Sequence, residues 1–273
     1  ASRQTNITMQ LRALGFCGAD DSVHPHHLII LAKAYPLVEF GILFRPHLEG
    51  QPRYASTAWV ERLAECSKNV RPDMKLAAHL CGSRVNDVLE GKAPFLEQLQ
   101  TWGFGRVQIN ATAINGVDTS RLAEAVPRLL KLIEQFPTLE FILQQNDETK
   151  PLWEGLLQHY SATNGSSAAL PRNVSMLLDE SKGAGVLRDD WPPPPTAYEI
   201  GYAGGMGPDN IDSVLQQLKV TAAGRSIWID MESRLRSIKN DKDVFDLDKC
   251  YTVIDAVCNA KLQSHPDYLT PSP

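Results

Sequence analysis

The sequence predicts a (β/α)8 barrel, an α/β fold in which eight parallel strands close into a cylinder inside a ring of helices. Three observations carry the prediction. Short apolar runs of strand length alternate with segments of helical period along the chain. The runs number eight. At 273 residues and 43% hydrophobic composition, the chain can bury one large core of the size such barrels need. Strands alternating with helices imply right-handed βαβ units and a parallel sheet. The organisation expected is a single barrel domain over 1–273, with a Pro-rich loop near 186–197 and a flexible carboxyl-terminal tail near 264–273.

In chain order, the apolar run Leu11–Cys17 predicts the first strand and the helical period of Pro25–Tyr35 the first helix. Val38–Phe44 and Thr57–Lys68 repeat the pair, as do Lys75–Leu80 with Asn86–Gln100 and Arg106–Asn110 with Ser120–Gln135. Glu140–Gln144 precedes a helical stretch at Pro151–Tyr160. Val174–Leu178 is the sixth strand, and its unit departs from the pattern: Trp191 followed by Pro192–Pro195 cannot continue a helix and must form an extended connection. Glu199–Tyr202 with Pro208–Leu218, then Ser226–Ile229 with Leu247–Leu262, complete the set. Nearly continuous apolar strands fit a sheet covered on both faces.

Composition narrows the partners. A net charge of -5 offers no basic surface to a polyanion, so nucleic acid and acidic membranes are excluded and a small-molecule substrate is expected. No apolar run reaches the ~18 residues of a membrane span, and no charged-then-apolar signal opens the chain. Five cysteines without a CxxC pair, Cys17, Cys66, Cys81, Cys250 and Cys258, fit reduced thiols in a cytoplasmic protein. The expected state is a monomer or homodimer.

Polar residues recur where the strands end: Asp20 and Asp21, Arg45, His79 and Cys81, Asn110, Gln144, Gln145 and Asn146, Asp179 and Ser181, Gly204 and Gly205, Asp230 and Glu232. Barrel enzymes build their sites at this end. The amino-terminal ends show less polarity. Plain readings compete for many of these residues: Asp20-Asp21-Ser22 reads as a cap for the first helix, and His24, His26 and His27 as its solvated start. The five tryptophans read as packing between barrel and helices.

Several segments resemble phosphoribosylanthranilate isomerase, a barrel enzyme of tryptophan biosynthesis. They are Phe16-Cys17-Gly18, then Gly50-Gln51-Pro52-Arg53-Tyr54-Ala55-Ser56, and a carboxyl-terminal series: Leu177-Leu178-Asp179, Gly183-Ala184-Gly185, Asp190-Trp191 and Ala203-Gly204-Gly205-Met206-Gly207-Pro208-Asp209-Asn210. The resemblance implies an Amadori rearrangement of a ribosylamine phosphate, an intramolecular oxidoreduction of a sugar phosphate. It implies Asp179 as the acid that opens the ring and Cys17 as the base that takes the C2 proton. It also implies that Arg53 holds a substrate carboxylate and that Gly204 and Gly205 present backbone N–H groups to the phosphate. Asp20, His79, Asn110, Gln145, Ser181, Gly183, Gly185, Asp230 and Glu232 complete the expected substrate-binding set. No cofactor and no metal are expected.

The chain departs from the family at the eighth strand, which continues Asp230-Met231-Glu232-Ser233-Arg234-Leu235-Arg236 in place of a small-residue phosphate loop. Glu232 would repel a phosphate dianion unless Arg234 or Arg236 compensates. Ala184 replaces a threonine in the sixth-strand loop, and the chain carries extra segments around Pro94–Trp102 and Ser161–Asn173. Two alternatives follow: a metal-dependent sugar-phosphate epimerase or aldolase-like barrel drawing on His79, Asp179, Asp230 and Glu232, or an inactive barrel that binds a small anion.

Overall fold

The computed structural model describes residues 9–68, 70, 74–164, 169–179 and 190–264. Eight parallel strands close on themselves: β1 (Gln10–Cys17), β2 (Val38–Phe44), β3 (Lys75–Leu80), β4 (Arg106–Ile109), β5 (Glu140–Gln145), β6 (Val174–Leu178), β7 (Glu199–Ala203) and β8 (Ser226–Met231). Each pairs with its sequence neighbour and β8 returns to β1, closing the cylinder at the β8–β1 seam. The helices are α1 (Pro25–Ala34), α2 (Thr57–Ser67), α3 (Ser83–Leu89), α4 (Pro94–Thr101), α5 (Leu122–Gln135), α6 (Lys150–Asn164), α7 (Ile211–Thr221) and α8 (Leu247–Asn259). The fold is the (β/α)8 barrel that the sequence predicts. No described helix is long and apolar enough to cross a membrane.

Every predicted strand is present, with ends shifted by two residues at most. The helical stretch 86–100 divides in two, because Gly91 adopts φ +80° after α3 and Pro94 opens α4. Helix α7 begins three residues after Pro208. The Asn210 side chain accepts from the Gly207 N–H at 2.9 Å and donates to the Gly205 carbonyl at 2.8 Å, which holds 205–210 as a turn. The first helix is capped by His24, whose ring accepts from the His26 N–H. Asp20 and Asp21 do other work: Asp21 takes the N–H and hydroxyl of Ser56, at the start of α2. The described part of the Pro-rich loop, 190–197, holds neither helix nor strand; the tail residues 265–273 lie outside the described residues. Two further strands, β9 (Arg236–Lys239) and β10 (Lys242–Phe245), form an antiparallel hairpin between β8 and α8, and β11 (Gln263–Ser264) lies parallel beside the start of β1.

Alternation along the strands divides the buried residues into two sets. Phe16, Phe40, Ile42, Leu80, Ile109, Leu143, Met176, Tyr202 and Ile229 face the helices and build the main core. Ala13, Ile142, Leu177, Ala203 and Trp228 form a separate apolar layer inside the cylinder. Trp228 is thus interior, where the sequence suggests a place between barrel and helices. Its indole lies against Gly201, where a β-carbon would stand 2.1 Å from the ring. No larger residue fits at 201 with the ring in place.

Beneath that layer, at the amino ends of the strands, lies an ionic cluster that the sequence does not announce. Arg106 donates to Glu39 at 2.7 Å and to Glu140 at 3.1 Å. Arg12 grips both oxygens of Glu140 at 2.5 and 2.6 Å, and the Ser175 hydroxyl adds a bond at 2.6 Å. Arg12 reaches this position because the β1–β8 register shifts between Leu11 and Ala13. Both guanidinium groups sit over the Trp228 ring, at 4.3 Å for Arg106 and 5.1 Å for Arg12. Burial opposes ionisation of Glu140, but Arg106 and Arg12 outweigh it and hold the carboxyl down at about 2. The expectation of plainer amino-terminal ends is corrected here.

Candidate active site

The carboxyl ends of the strands open into a cleft. Of the predicted residues, His79, Asn110, Asp179, Gly204, Gly205, Asp230 and Glu232 line it. They arrive there by alternation: His79 on β3, Asp230 on β8 and Asp179 just past β6 all lie on the inward face. The cleft also takes Cys81, Gln108 and Gln144 from the same rows, and Arg234 from the loop after β8.

Four predicted residues do not line the cleft. Cys17 faces inward but lies beneath it, 1% exposed, with its Sγ 3.2 Å from His79 Nδ1. Asp20 is committed to structure: it accepts from Arg236 at 2.7 Å, from the Arg53 N–H at 2.6 Å, and from the backbone N–H and hydroxyl of Ser22. The Arg53 guanidinium donates to Glu232 at 3.1 Å and to the Ser233 hydroxyl at 3.2 Å. Gln145 points away and donates to the Tyr198 hydroxyl at 3.0 Å. Asp20 is thus tied to Arg236, Arg53 and Ser22, and Gln145 to Tyr198. Ser181, Gly183 and Gly185 lie outside the described residues.

Burial sets the electrostatics of the cleft. It pushes the Cys17 thiol well above its usual range, and the carboxyls of Asp230 and Glu232 add to the effect. It also disfavours a charged His79, which titrates at about 3 with Arg106 opposing the cation as well. The Asp230 carboxyl is raised well above the ordinary value by burial first, then by Glu39 and Glu232. Burial likewise raises Glu232, although Arg53 pulls it back. The Cys81 thiol is pushed up to about 11 by burial. Burial therefore keeps Cys17 a thiol and His79 a neutral imidazole.

Two hydrogen-bonded pairs, one of them ending in the Asp179 carboxyl, line the cleft. Gln108 donates to Asn110 at 2.7 Å, and Gln144 donates to Asp179 Oδ2 at 3.1 Å. Asn146 fixes the backbone by donating to the Asp179 carbonyl at 3.3 Å. The Gln144 Oε1 is buried without a hydrogen-bond partner, an acceptor available to a donor in the cleft. Sequence reasoning left Gln108 out altogether, although its place two residues before Asn110 on an inward-facing row was the available signal.

At the rim, Gly204 and Gly205 take φ of +117° and +62°, conformations that side chains rarely adopt. Arg234 packs against Gly207, where a β-carbon would meet its side chain at 2.4 Å, and pairs with Asp209 at 2.5 Å. Arg236, the other candidate for offsetting Glu232, is buried against Asp20 and Asp243.

The fold and cleft define a barrel with inward-facing acid, thiol and imidazole groups at the carboxyl ends of its strands. Among solved structures the chain is similar to TrpF from Jonesia denitrificans, with 16% identity, a TM-score of 0.50, and coverage of 92% of this chain and 98% of that one. It also aligns with an octameric ribulose-1,5-bisphosphate carboxylase/oxygenase from Pyrococcus horikoshii OT3 at 11% identity and a TM-score of 0.47, covering 91% of this chain and 59% of that one. No family model and no curated protein matches the sequence. At 16% identity the likeness to TrpF speaks to the barrel fold alone.

Proposed function

We propose that this barrel is an isomerase, an intramolecular oxidoreductase that performs an Amadori-type rearrangement on a ribosylamine phosphate or a related amino-sugar phosphate. One observation carries the reading. Asp179 and the Cys17–His79 pair stand at the carboxyl ends of β6, β1 and β3 of the same closed cylinder, within the architecture that TrpF shares. Asp179 gives its proton to the ring oxygen as the C1–O bond breaks, and the lone pair on the substrate nitrogen forms a C1=N iminium ion. Cys17 hands its proton to His79 Nδ1, and the thiolate removes the C2 proton. The resulting enolamine tautomerises to the 1-amino-ketose, His79 gives up the proton it took from Cys17, and Asp179 regains one, so the site returns to its starting state.

The electrostatics of the resting site hold the proton on Cys17, because burial raises the thiol and lowers His79. A thiol held protonated by burial is a poor base until a cation arrives, and an iminium ion in the cleft supplies that cation. Asp230 and Glu232 stabilise the same positive charge as it develops. The phosphate is the harder end to place, since Glu232 opposes it; Arg234, which lines the cleft and packs against Gly207, brings a cation to the expected half-site.

The test is turnover of phosphoribosylanthranilate by the purified protein, followed by the loss of anthranilate-type fluorescence, with rescue of a tryptophan auxotroph lacking the isomerase as its counterpart in cells. Asp179→Asn keeps the size and the contact to Gln144 and should lower turnover by at least roughly a hundredfold, the usual span of a general acid, without changing the melting temperature. Normal turnover in that variant would remove Asp179 from the mechanism.

A further inference from the structure

Beneath the cleft three side chains of different chemistry converge. The Cys17 sulfur, a His79 ring nitrogen and an Asp230 carboxylate oxygen all lie within 4.8 Å of one another, with the Sγ–Nδ1 separation at 3.2 Å. They come from β1, β3 and β8. Two glycines clear the space around them. A β-carbon at Gly41 would stand 2.8 Å from both the Cys17 sulfur and His79 Nε2, and one at Gly15 would stand 2.3 Å from Asp230 Oδ1. The Asp230 carboxylate makes no hydrogen bond or ion pair with any described residue. His79 and Asp230 also face the cleft, which leaves a side open to water or substrate.

From this geometry we infer that Cys17, His79 and Asp230 form a three-ligand site for a borderline-soft divalent metal of the zinc and cobalt class. A sulfur, an imidazole nitrogen and one carboxylate oxygen is the mixed donor set that such ions take, and a fourth position open to the cleft is the pattern of a catalytic or exchangeable site. Bond lengths near 2.0 Å to nitrogen and oxygen and 2.3 Å to sulfur place tetrahedral donors about 3.5 Å apart. The observed cluster brackets that spacing, so side-chain rotations suffice to close it. Magnesium and calcium, which need several oxygen donors, are not expected to bind here. Binding expels the thiol proton and leaves a metal–sulfur bond, with no redox change.

The inference is independent of the isomerase reading and in tension with it, because a coordinated sulfur cannot take a proton from C2. A metal at this site would therefore switch off an isomerase that relies on Cys17, or supply the Lewis acid for a different reaction on the same cleft.

Cobalt(II) titration of the chelator-stripped protein tests the site. One equivalent should produce the intense visible bands of a tetrahedral ion and a near-ultraviolet thiolate-to-cobalt band, both displaced by zinc. Cys17→Ser should abolish the thiolate band, and His79→Gln and Asp230→Asn should each weaken binding by roughly a hundredfold. A Cys66→Ser/Cys258→Ser double variant should leave the spectrum unchanged, and magnesium should produce no heat in calorimetry. Persistence of the thiolate band in a Cys17→Ser variant that folds normally by circular dichroism, or failure of the wild type to take up one equivalent, would overturn the inference. Should Cys17→Ser misfold, X-ray absorption of the zinc-loaded wild type decides the matter: a coordination shell without sulfur at about 2.3 Å refutes it. Turnover by the stripped protein is measured separately, so loss of the isomerase reading and loss of the metal site give different results.

Discussion

The two ends of the barrel interior hold similar groups in opposite electrical conditions. At the amino ends, Glu39 and Glu140 meet two arginines, every distance is 3.1 Å or less, and the Glu140 carboxyl is held at about 2. At the carboxyl ends, Asp230 and Glu232 are both pushed up by burial, and among the described residues the partly exposed Arg53 is the guanidinium that bonds Glu232. The Trp228 layer stands between them. One end uses carboxylates to fasten strands together, whereas the other keeps carboxyls in an unfavourable setting and so keeps them responsive to whatever enters the cleft. Strain of this sort is tolerable where the rest of the fold supplies stability.

The sharpest way to break the comparison is to remove the compensation at the fastened end. Among the described residues, Arg106→Met strips Glu39 of its ion partner and Glu140 of one of two, at side-chain exposures of 8% or less for Arg106 and Glu39. Leaving buried carboxylates uncompensated should cost about 3–5 kcal/mol and lower the melting temperature by roughly 10 °C. The pH dependence carries a second signature. Glu140 is depressed from its ordinary value of 4.5 to about 2, so its contribution is complete above pH 4.5 and is lost as pH falls through 2. The difference in stability between wild type and Arg106→Met should therefore shrink across that window. A pH-independent difference, or a loss below about 1 kcal/mol, would show that the cluster does not fasten the barrel.

This asymmetry explains what could be read beforehand. The eight strands were legible because each is an apolar run bounded by polar residues, and the helices because their period differs from that of the strands. The Asp179, Asp230 and Glu232 placements followed, since residues at strand ends can be assigned to one rim without knowing any distance. Pairwise chemistry was not legible. Cys17, His79 and Asp230 are brought together only by closure of the β8–β1 seam and by the stagger between strands. Glu39, Arg106 and Glu140 sit at the first or second position of their strands and read in sequence as solvated ends; the barrel register alone turns them inward. Asp20 and Arg53 carry the residue types of a binding site, but the β9–β10 hairpin supplies Arg236 and Asp243, which occupy them. The hairpin itself left only short charged alternations as a signal.

At the responsive end the prediction reverses sign. Asp230→Asn removes a carboxylate that the native state disfavours, so it should raise stability at pH 7 by about 1 kcal/mol, as relief at a functional site often does. Because the native carboxyl titrates above its ordinary value, the gain should be present at neutral pH and vanish as pH falls below the usual carboxyl range, where the unfolded chain is protonated too. Urea unfolding at pH 7 and pH 3 separates the two conditions. A destabilised variant at pH 7 would mean that Asp230 is a structural group after all, and the contrast between the two ends would fail.

The smallest expected effect lies where the contrast is least complete. Arg53 touches Glu232 at 3.1 Å, but the two side chains are 35% and 31% exposed, so the pair should be worth less than about 1 kcal/mol. Arg53→Gln should therefore barely move the melting temperature. Its effect should appear in the titration of Glu232, which burial raises and Arg53 lowers; without the guanidinium the carboxyl must move further up. If ionised Glu232 helps to hold an iminium ion, the acid limb of the pH–rate profile shifts toward higher pH while the plateau rate stays the same. An altered plateau with an unmoved limb would instead place Arg53 in direct contact with substrate, as the likeness to the isomerase family first suggested, and would require its side chain to leave Glu232 when the cleft is filled.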